Sequence, residues 1–573
     1  MEKDKRSLIL KILLLPAALL LLLSIRFYAD NREFSRFTEK MFRDEITGNT
    51  LNLHYTLSDP KACGIESYPV TLGSASPKAL AQGVSALKHY REALASIPCK
   101  NLSRQNRLTY EILASYLEIQ EQGKDFLLYA EPLGPTIGTQ AQLPVLLAEY
   151  TFRNVSDIKE YMTLLSQMDE YYASILQFEK AKSDAGLFMS DSSADHIISQ
   201  CQAFIDADEN FLLPIFEEKI KAVPGLSHTQ REELTAQHEA IVKNHVIPAY
   251  SLLIEGLSGL KGTGKNPGGL ANLPEGRRYY EYLVKDSTGC FDSISALEQR
   301  IQKQLASDYE ELQALLKAHP EAPELAASGG QRPDPAAILA DLQKKMAADF
   351  PAPPAVSCEV KYVHKSLEDF LSPAFYLTPP MDNLTSNVIY INNLSGYTPL
   401  ELYTTLAHEG YPGHLYQTIC SGSAPSNKVR NILNFGGYVE GWATYVEMYS
   451  YGLADADPAA ADLYRLNRSI ILGVSSALDI AVNYHGFTRE QVADCLSKIG
   501  FSSSAAADSL YDALIESPAN YLKYYVGYLC FSDLRDAVQK ARGKDFNLKD
   551  FHREILEIGP APFSVLEKHL LAD

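Results

Sequence analysis

Within LAHEGYPGHLYQ, residues 406 to 417, His408 is followed at once by Glu409, and His414 lies six positions on. Imidazole nitrogens and carboxylates are the side chains that bind zinc and carry protons, so two histidines with a glutamate after the first suit a metal-dependent hydrolase. The familiar helical spacing for such a pair is four. Six residues advance a regular helix by about 600°, which leaves the two imidazoles about 120° apart around the axis. Pro412 and Gly413 stand between them. Pro412 offers no N–H to the His408 carbonyl, and its ring makes a helix kink. The sequence therefore predicts a helix distorted at Tyr411-Pro412-Gly413 that turns His414 back toward His408. Two histidines beside a helix break also occur as ordinary surface or core groups, so a third ligand has to tip the balance.

NFGGYVEGWATYVEMYS supplies one. Its helical pattern places Glu440 and Glu447 a heptad apart on one face. Glu440 lies 26 residues beyond His414, room for a loop and a returning helix, and its apolar, aromatic surroundings would make an unpaired carboxylate costly. A catalytic zinc takes three protein ligands and keeps a fourth position for water. Glu440 is the expected third ligand, with Glu447 the next candidate. Upstream, Thr398-Pro399-Leu400-Glu401 reads as a capping box with proline in the first turn, which starts the helix that delivers His408 and Glu409.

HEGYPGHLYQ together with YVEGWATYVE resembles the bacterial domain of unknown function 885 family, regarded as metallopeptidase-like and similar in design to gluzincin-type zinc peptidases. LPEGRRYYEYLVKDSTG, FYLTPPMDN leading into NVIYINN, and SPANYLKYYVGYLCFSDLR are further landmarks in the same order. The resemblance implies a mostly α, zinc-peptidase-like fold with a small β-sheet beside the active-site helix. It also implies a zinc ion held by His408, His414 and Glu440, with Glu409 as general base and a peptide as substrate. Tyr524, matching Y-x-x-G with Gly527, is the candidate oxyanion donor among Tyr521, Tyr524, Tyr525 and Tyr528. Leu415 stands where a further histidine is often found. Asp479 fits the pattern, but Asn483 occupies a common histidine position, for which His485 is the candidate substitute. His485, Tyr525 and Asn392 are the expected substrate contacts, Asn392 because NVIYINN could align an extended peptide by strand addition.

The elements that position these groups are mostly helical. PKALAQGVSALKHYREALASI, QNRLTYEILASYLEIQEQ and SDIKEYMTLLSQMDEYYASILQFEKAK carry apolar residues at three- and four-residue spacing, which predicts a helical part over about 31–255. A glycine-rich loop is expected at about 256–275 and a catalytic part over about 276–573. AVSCEVKYV and NVIYINN are the expected strands. The segment from Gly259 to Asn266 nearly matches a phosphate-binding loop but lacks the Ser or Thr for magnesium, and the prolines and glycines after it deny it a helix, so no nucleotide is expected.

Lys3, Lys5 and Arg6 precede an apolar run from Leu8 to Ile25 broken only by Lys11. Eighteen helical residues span about 27 Å, close to a hydrocarbon core of about 30 Å. With no good cleavage site after it, residues 1–30 read as a signal anchor holding the body, 31–573, outside the membrane. A cleaved signal would make it secreted. The net charge of −19 argues against nucleic acid. Eight cysteines without a C-x-x-C pair exclude a zinc ribbon, Cys63 and Cys99 being nearest in sequence among any that pair. Two rival functions remain: a non-catalytic surface binding protein on the same fold, and a zinc hydrolase of esters or non-peptide amides.

Overall fold

Helices make up nearly all of the regular structure, as the apolar spacing predicts. The computed structural model describes residues 2–571 apart from 136–137, 208, 267, 328–331, 364, 366–367, 369–371, 425–426 and 502, and leaves the side chains of residues 2–20 and 395 undescribed.

The first helix, α1 (Glu2–Thr47), runs without a break through the expected boundary at residue 30. Its second half is part of the body. Phe34, Met41, Phe42 and Ile46 are fully buried. Docking begins at the boundary itself: Asp30 accepts a hydrogen bond from Asn101 Nδ2 at 2.7 Å, and Asn31 Oδ1 accepts from Ser103 N and Asn106 Nδ2, both at 2.9 Å. The polar residues of this stretch lie within the helix and do not mark a break at residue 30. They are instead the solvent and contact face of an amphipathic helix. Leu21, Leu22, Leu23 and Ile25 are more than half exposed. Among the described residues no helix is long and apolar enough to cross a membrane, and most of the run from Leu8 to Ile25 lies outside the described side chains.

Helices Met168–Asp184, Asp191–Asp206 and Ile247–Leu260 pack into one core around Tyr161, Tyr172, Tyr250 and Leu253. The glycine-rich loop starts later than expected, because burial of Leu253 and Leu257 carries the helix through Gly256 and Gly259 to Leu260. A second, larger core joins the buried face of α1 to α2 (Gly276–Thr288), α3 (Ile294–Ala318) and most of the later elements, while Val492, Leu496, Tyr511 and Leu514 form a small cluster of their own. Among the described residues every cysteine is a free thiol, Cys63 and Cys99 included.

Both expected strands form, as β1 (Ser357–Tyr362) and β3 (Ser386–Ile391), and a third, β2 (Ala374–Leu377), lies between them in sequence. The order in the sheet is β1–β3–β2, with β1 parallel and β2 antiparallel to β3. This corrects the expectation for NVIYINN. β3 is central, both of its edges are paired, and it has none left to offer a peptide. The edge beside the later helices belongs to β2.

Five helices complete the frame: α4 (Pro399–Glu409), α5 (His414–Ser423), α6 (Gly436–Ser450), α7 (Pro458–Ile480) and α8 (Asn520–Arg542). The capping box forms as read, with Glu401 N donating to Thr398 Oγ1 at 3.3 Å and Thr398 N to Glu401 Oε2 at 2.8 Å. α6 and α8 cross closely, since a Cβ on Gly441 would lie 2.5 Å from the Gly527 backbone and one on Gly527 2.3 Å from the Gly437 carbonyl oxygen. Only glycines permit that approach, and it brings Tyr524, one turn before Gly527, over α6.

The two halves of α1 should separate under truncation. A chain starting at residue 27 keeps the docked half and is expected to fold, whereas one starting at residue 49 loses four buried apolar side chains worth about 1.5–3 kcal/mol each and is expected to melt much lower or aggregate. Circular dichroism melts of the two chains check this; equal melting would show that α1 contributes nothing to the core.

Candidate functional site

The break between α4 and α5 brings the two histidines together. α4 ends at Glu409 and α5 starts afresh at His414, so the expected kink is a full interruption. Gly413 makes it possible: a Cβ there would fall 1.8 Å from the His408 carbonyl oxygen. Trp442 Nε1, from α6, holds the turn by donating to the Pro412 carbonyl at 2.9 Å. The imidazoles of His408 and His414 then lie edge to face with ring centroids 4.8 Å apart.

Glu440, on α6, closes the group. Its Oε2 stands 3.8 Å from His408 Nε2 and 3.4 Å from His414 Nε2. Glu409 joins from the end of α4: one donor atom each from His408, Glu409 and His414 fits within 4.8 Å. Glu409 Oε2 accepts the backbone N–H of Tyr376, on β2, at 2.8 Å, which fixes this carboxylate at the sheet edge.

Glu447 sits on the other side of the same ring. Its Oε2 lies 3.0 Å from His408 Nδ1, and Arg468 of α7 grips it with Nε at 2.8 Å from Oε1 and Nη2 at 3.4 Å from Oε2. Glu447 is therefore the carboxylate that orients the imidazole, and the alternative of Glu447 as direct ligand does not match its placement. This partner on Nδ1 leaves Nε2 turned to the Glu440 side, where a cation could be held. The charges reinforce one another. Burial raises the Glu447 carboxyl, but the Arg468 guanidinium and the His408 bond hold it down at about 2. Burial likewise raises Glu440, and its bonds to His408 and His414 hold it far below the usual range. Burial lowers the His408 imidazolium, yet the flanking Glu440, Glu447 and Glu409 push it up to about 10.

A cleft of about 580 Å³ opens onto this cluster, lined by His408, Glu409, Glu447, Arg468, Tyr521 and Tyr524 among others. The Tyr524 ring is stacked 6.5 Å from His408, and burial with the nearby Glu440 and Glu409 raises its hydroxyl well above the ordinary value, so it stays a proton-bearing donor. The other expected substrate contacts lie elsewhere. Tyr525 is fully buried with its hydroxyl 3.5 Å from Asp308. His485 pairs with Glu298 at 2.6 Å outside the cleft. Asn392 is buried, caps the turn after β3 and donates to the Glu368 carbonyl at 2.6 Å.

Asp479 and Asn483 are structural. Asp479 Oδ1 accepts from Tyr280 at 2.7 Å, from Ala519 N at 3.0 Å and from Asn483 Nδ2 at 3.3 Å. Ala519 has φ of 64°, left-handed for a residue with a Cβ, and caps the helix that bears Tyr524. Asp479 thus pins a strained turn. Sequence reasoning missed Arg468 and the β2 edge. The one available signal for Arg468 was its place on the α7 face shared with Leu472, Ser475 and Asp479, where a guanidinium needs a buried acid as partner.

A family model described as "Bacterial protein of unknown function (DUF885)" matches residues 61–570. No curated protein matches the chain. Among solved structures, a candidate lipoprotein from Colwellia psychrerythraea is similar with a TM-score of 0.85 and 20% identity, covering 94% of this chain and 98% of that one. A candidate lipoprotein of unknown function from Shewanella oneidensis is similar with a TM-score of 0.67 and 17% identity, covering 94% and 100%.

Two outcomes follow from these contacts. Were a zinc ion held at His408 Nε2, Glu447→Ala, which removes the partner of Nδ1 but leaves Glu440 and both histidines, should weaken its binding about 10–100-fold, measured by chelator competition. Burial pushes Asp479 up to about 7, above its unfolded value. The folded form therefore binds the extra proton, so its contribution is full below the unfolded pKa and is lost as pH rises through about 7. Denaturant unfolding at pH 5 and pH 8 should show a loss on raising the pH in the parent that is smaller in Asp479→Asn, the remainder belonging to buried carboxyls such as Glu179 and Asp286.

Proposed function

The chain belongs to the bacterial DUF885 family, and from its two histidines and paired glutamates we infer that it is a zinc-dependent peptidase of the cell envelope. The observation that supports this most is the convergence of His408 Nε2 and His414 Nε2 on one Glu440 oxygen, at 3.8 and 3.4 Å. Two imidazoles and a carboxylate on one point, with a second carboxylate, that of Glu409, beside them, suit zinc as a donor set. His408, His414 and Glu440 would hold the ion, and Glu447 with Arg468 would keep the first imidazole turned toward it.

Zinc bound there would supply Lewis acidity to the scissile carbonyl and lower the pKa of a coordinated water to about 7. The chain's own groups do the rest. Glu409 takes the proton of the attacking water and returns it to the leaving amine. Tyr376 N–H fixes one oxygen of Glu409, so the other faces the reaction. Tyr524, held protonated beside the histidine, donates to the oxygen where negative charge develops. The basic residues ahead of the apolar run from Leu8 to Ile25 support an envelope location, anchored or secreted, and the fold shared with two candidate lipoproteins agrees with it.

Glu409→Gln preserves size and hydrogen bonding but cannot accept a proton. It should keep near-parental zinc by elemental analysis and lose about 10²–10⁴-fold in peptide turnover. Glu440→Ala should lose zinc and turnover together. Parental hydrolysis by Glu409→Gln would overturn the mechanism, and zinc-loaded parent protein that cleaves only esters or non-peptide amides, or nothing, would favour one of the rival functions.

A further inference from the structure

Cys290 and Cys530 are 240 positions apart in the sequence and meet in the fold. Cys290 follows the glycine that ends α2. Gly289 has φ of 64°, and Cys290 N–H donates to Thr288 Oγ1 at 3.1 Å, so the chain turns sharply there before α3. Cys530 lies on α8, three residues past Gly527, which lets α8 cross α6. Both side chains are buried, and the two thiols hydrogen-bond each other.

Their surroundings are charged. Cys290 Sγ stands 3.5 Å from Asp292 Oδ2, and Arg300 Nη1, on α3, stands 3.5 Å both from Cys530 Sγ and from that Asp292 oxygen. Arg300 also grips Asp533, three residues further along α8. A guanidinium beside a thiol favours its thiolate. The bond from Cys530, helped by Arg300 and opposed by burial, draws the Cys290 thiol below its ordinary value. The same bond, with burial, pushes Cys530 well above. One thiol of the pair is the nucleophile and the other its resolving partner. Cys201, in the other core, is the contrast: burial alone pushes its thiol up to about 12.

We propose that Cys290 and Cys530 close a disulfide that staples α8, the helix bearing Tyr524, to the corner between α2 and α3. Thiols already in hydrogen-bond contact need only a side-chain rotation and a small shift to reach the about 3.5–4.5 Å between Cβ atoms that a disulfide takes. The oxidant is another disulfide. The Cys290 thiolate attacks one of its sulfurs and expels the first thiolate; Cys530 then attacks the mixed disulfide at Cys290 and expels the second. The two thiol protons pass to the two released thiols, and no other electron acceptor is used. A bond between residues so far apart in sequence restrains the unfolded chain strongly. Its presence in the cell rests on the envelope location inferred above, since disulfides persist outside the cytoplasm.

The test starts from the full chain, purified in detergent with its thiols reduced. It is warmed below its melting point with excess oxidised glutathione, denatured, blocked with one alkylating reagent, then reduced and labelled with a second. Mass spectrometry should find the second label on Cys290 and Cys530 together and the first on Cys201, and the unreduced digest should hold the two peptides joined. First label on both thiols, glutathione left on either, or bonds to other cysteines overturn the proposal. The oxidised protein should melt about 3–8 °C above its reduced form, a difference that Cys290→Ser and Cys530→Ser each abolish. Equal melting of oxidised and reduced parent overturns the staple, and that comparison needs neither variant to fold. Labelling of protein taken directly from cells separates the two readings: a bond that glutathione forms but that cells lack upholds the pair and removes the envelope location.

Discussion

A Cβ on Gly413 would collide with the carbonyl oxygen of His408, and without one the backbone can fold back on the end of its own helix. That close approach lets an HE pair and a histidine six residues later address the same point in space. A continuous helix would have sent the imidazoles to different faces. The interruption in turn needs support, and α6 gives it twice, through Trp442 on the Pro412 carbonyl and through Glu440 between the two rings. α6 itself is seated by the glycine contact with α8, so the placement of Tyr524 and of the carboxylate share one crossing.

The cluster also concentrates charge where the protein could have placed apolar side chains. Glu440, Glu447, Arg468 and His408 give up hydration, and a buried ion pair seldom returns more than it loses. What they gain is geometry. Glu447 and Glu440 hold one imidazole from opposite nitrogens, so its ring has a single orientation. Such a cost accepted in a well-packed core is what local sequence rules break for, and breaks of this kind mark functional places.

The parts of this site that are local in sequence were legible. The capping box at Thr398 is four residues long and formed as read, and the proline and glycine between the histidines announced a distortion. That Glu440 and Glu447 share a face was also visible, but which one meets Nε2 depends on where α6 crosses α4, and nothing in their heptad spacing encodes that. β2 escaped notice because four residues are too few to show alternation, and its role as an edge depends on β3 pairing with β1 as well. His485 looked available beside Asn483. A residue from another helix, Glu298, had already claimed it. The boundary expected at residue 30 is absent because the helix of the apolar run continues as an amphipathic helix whose one face is buried.

α1 packs against the turn at Lys428–Ile432, and Asn427 Nδ2 donates to Thr38 Oγ1 at 2.7 Å. That turn is the connection between α5, with His414, and α6, with Glu440. From residue 2 to residue 38 the helix is a rod of about 54 Å. Past Pro16, where a helix can kink, no loop interrupts the chain between its apolar run and residue 38. Whatever grips the first residues also sets the tilt at which the cleft faces its surroundings, and a sideways load on that end is delivered, by leverage, to the strap that joins the histidines to their carboxylate.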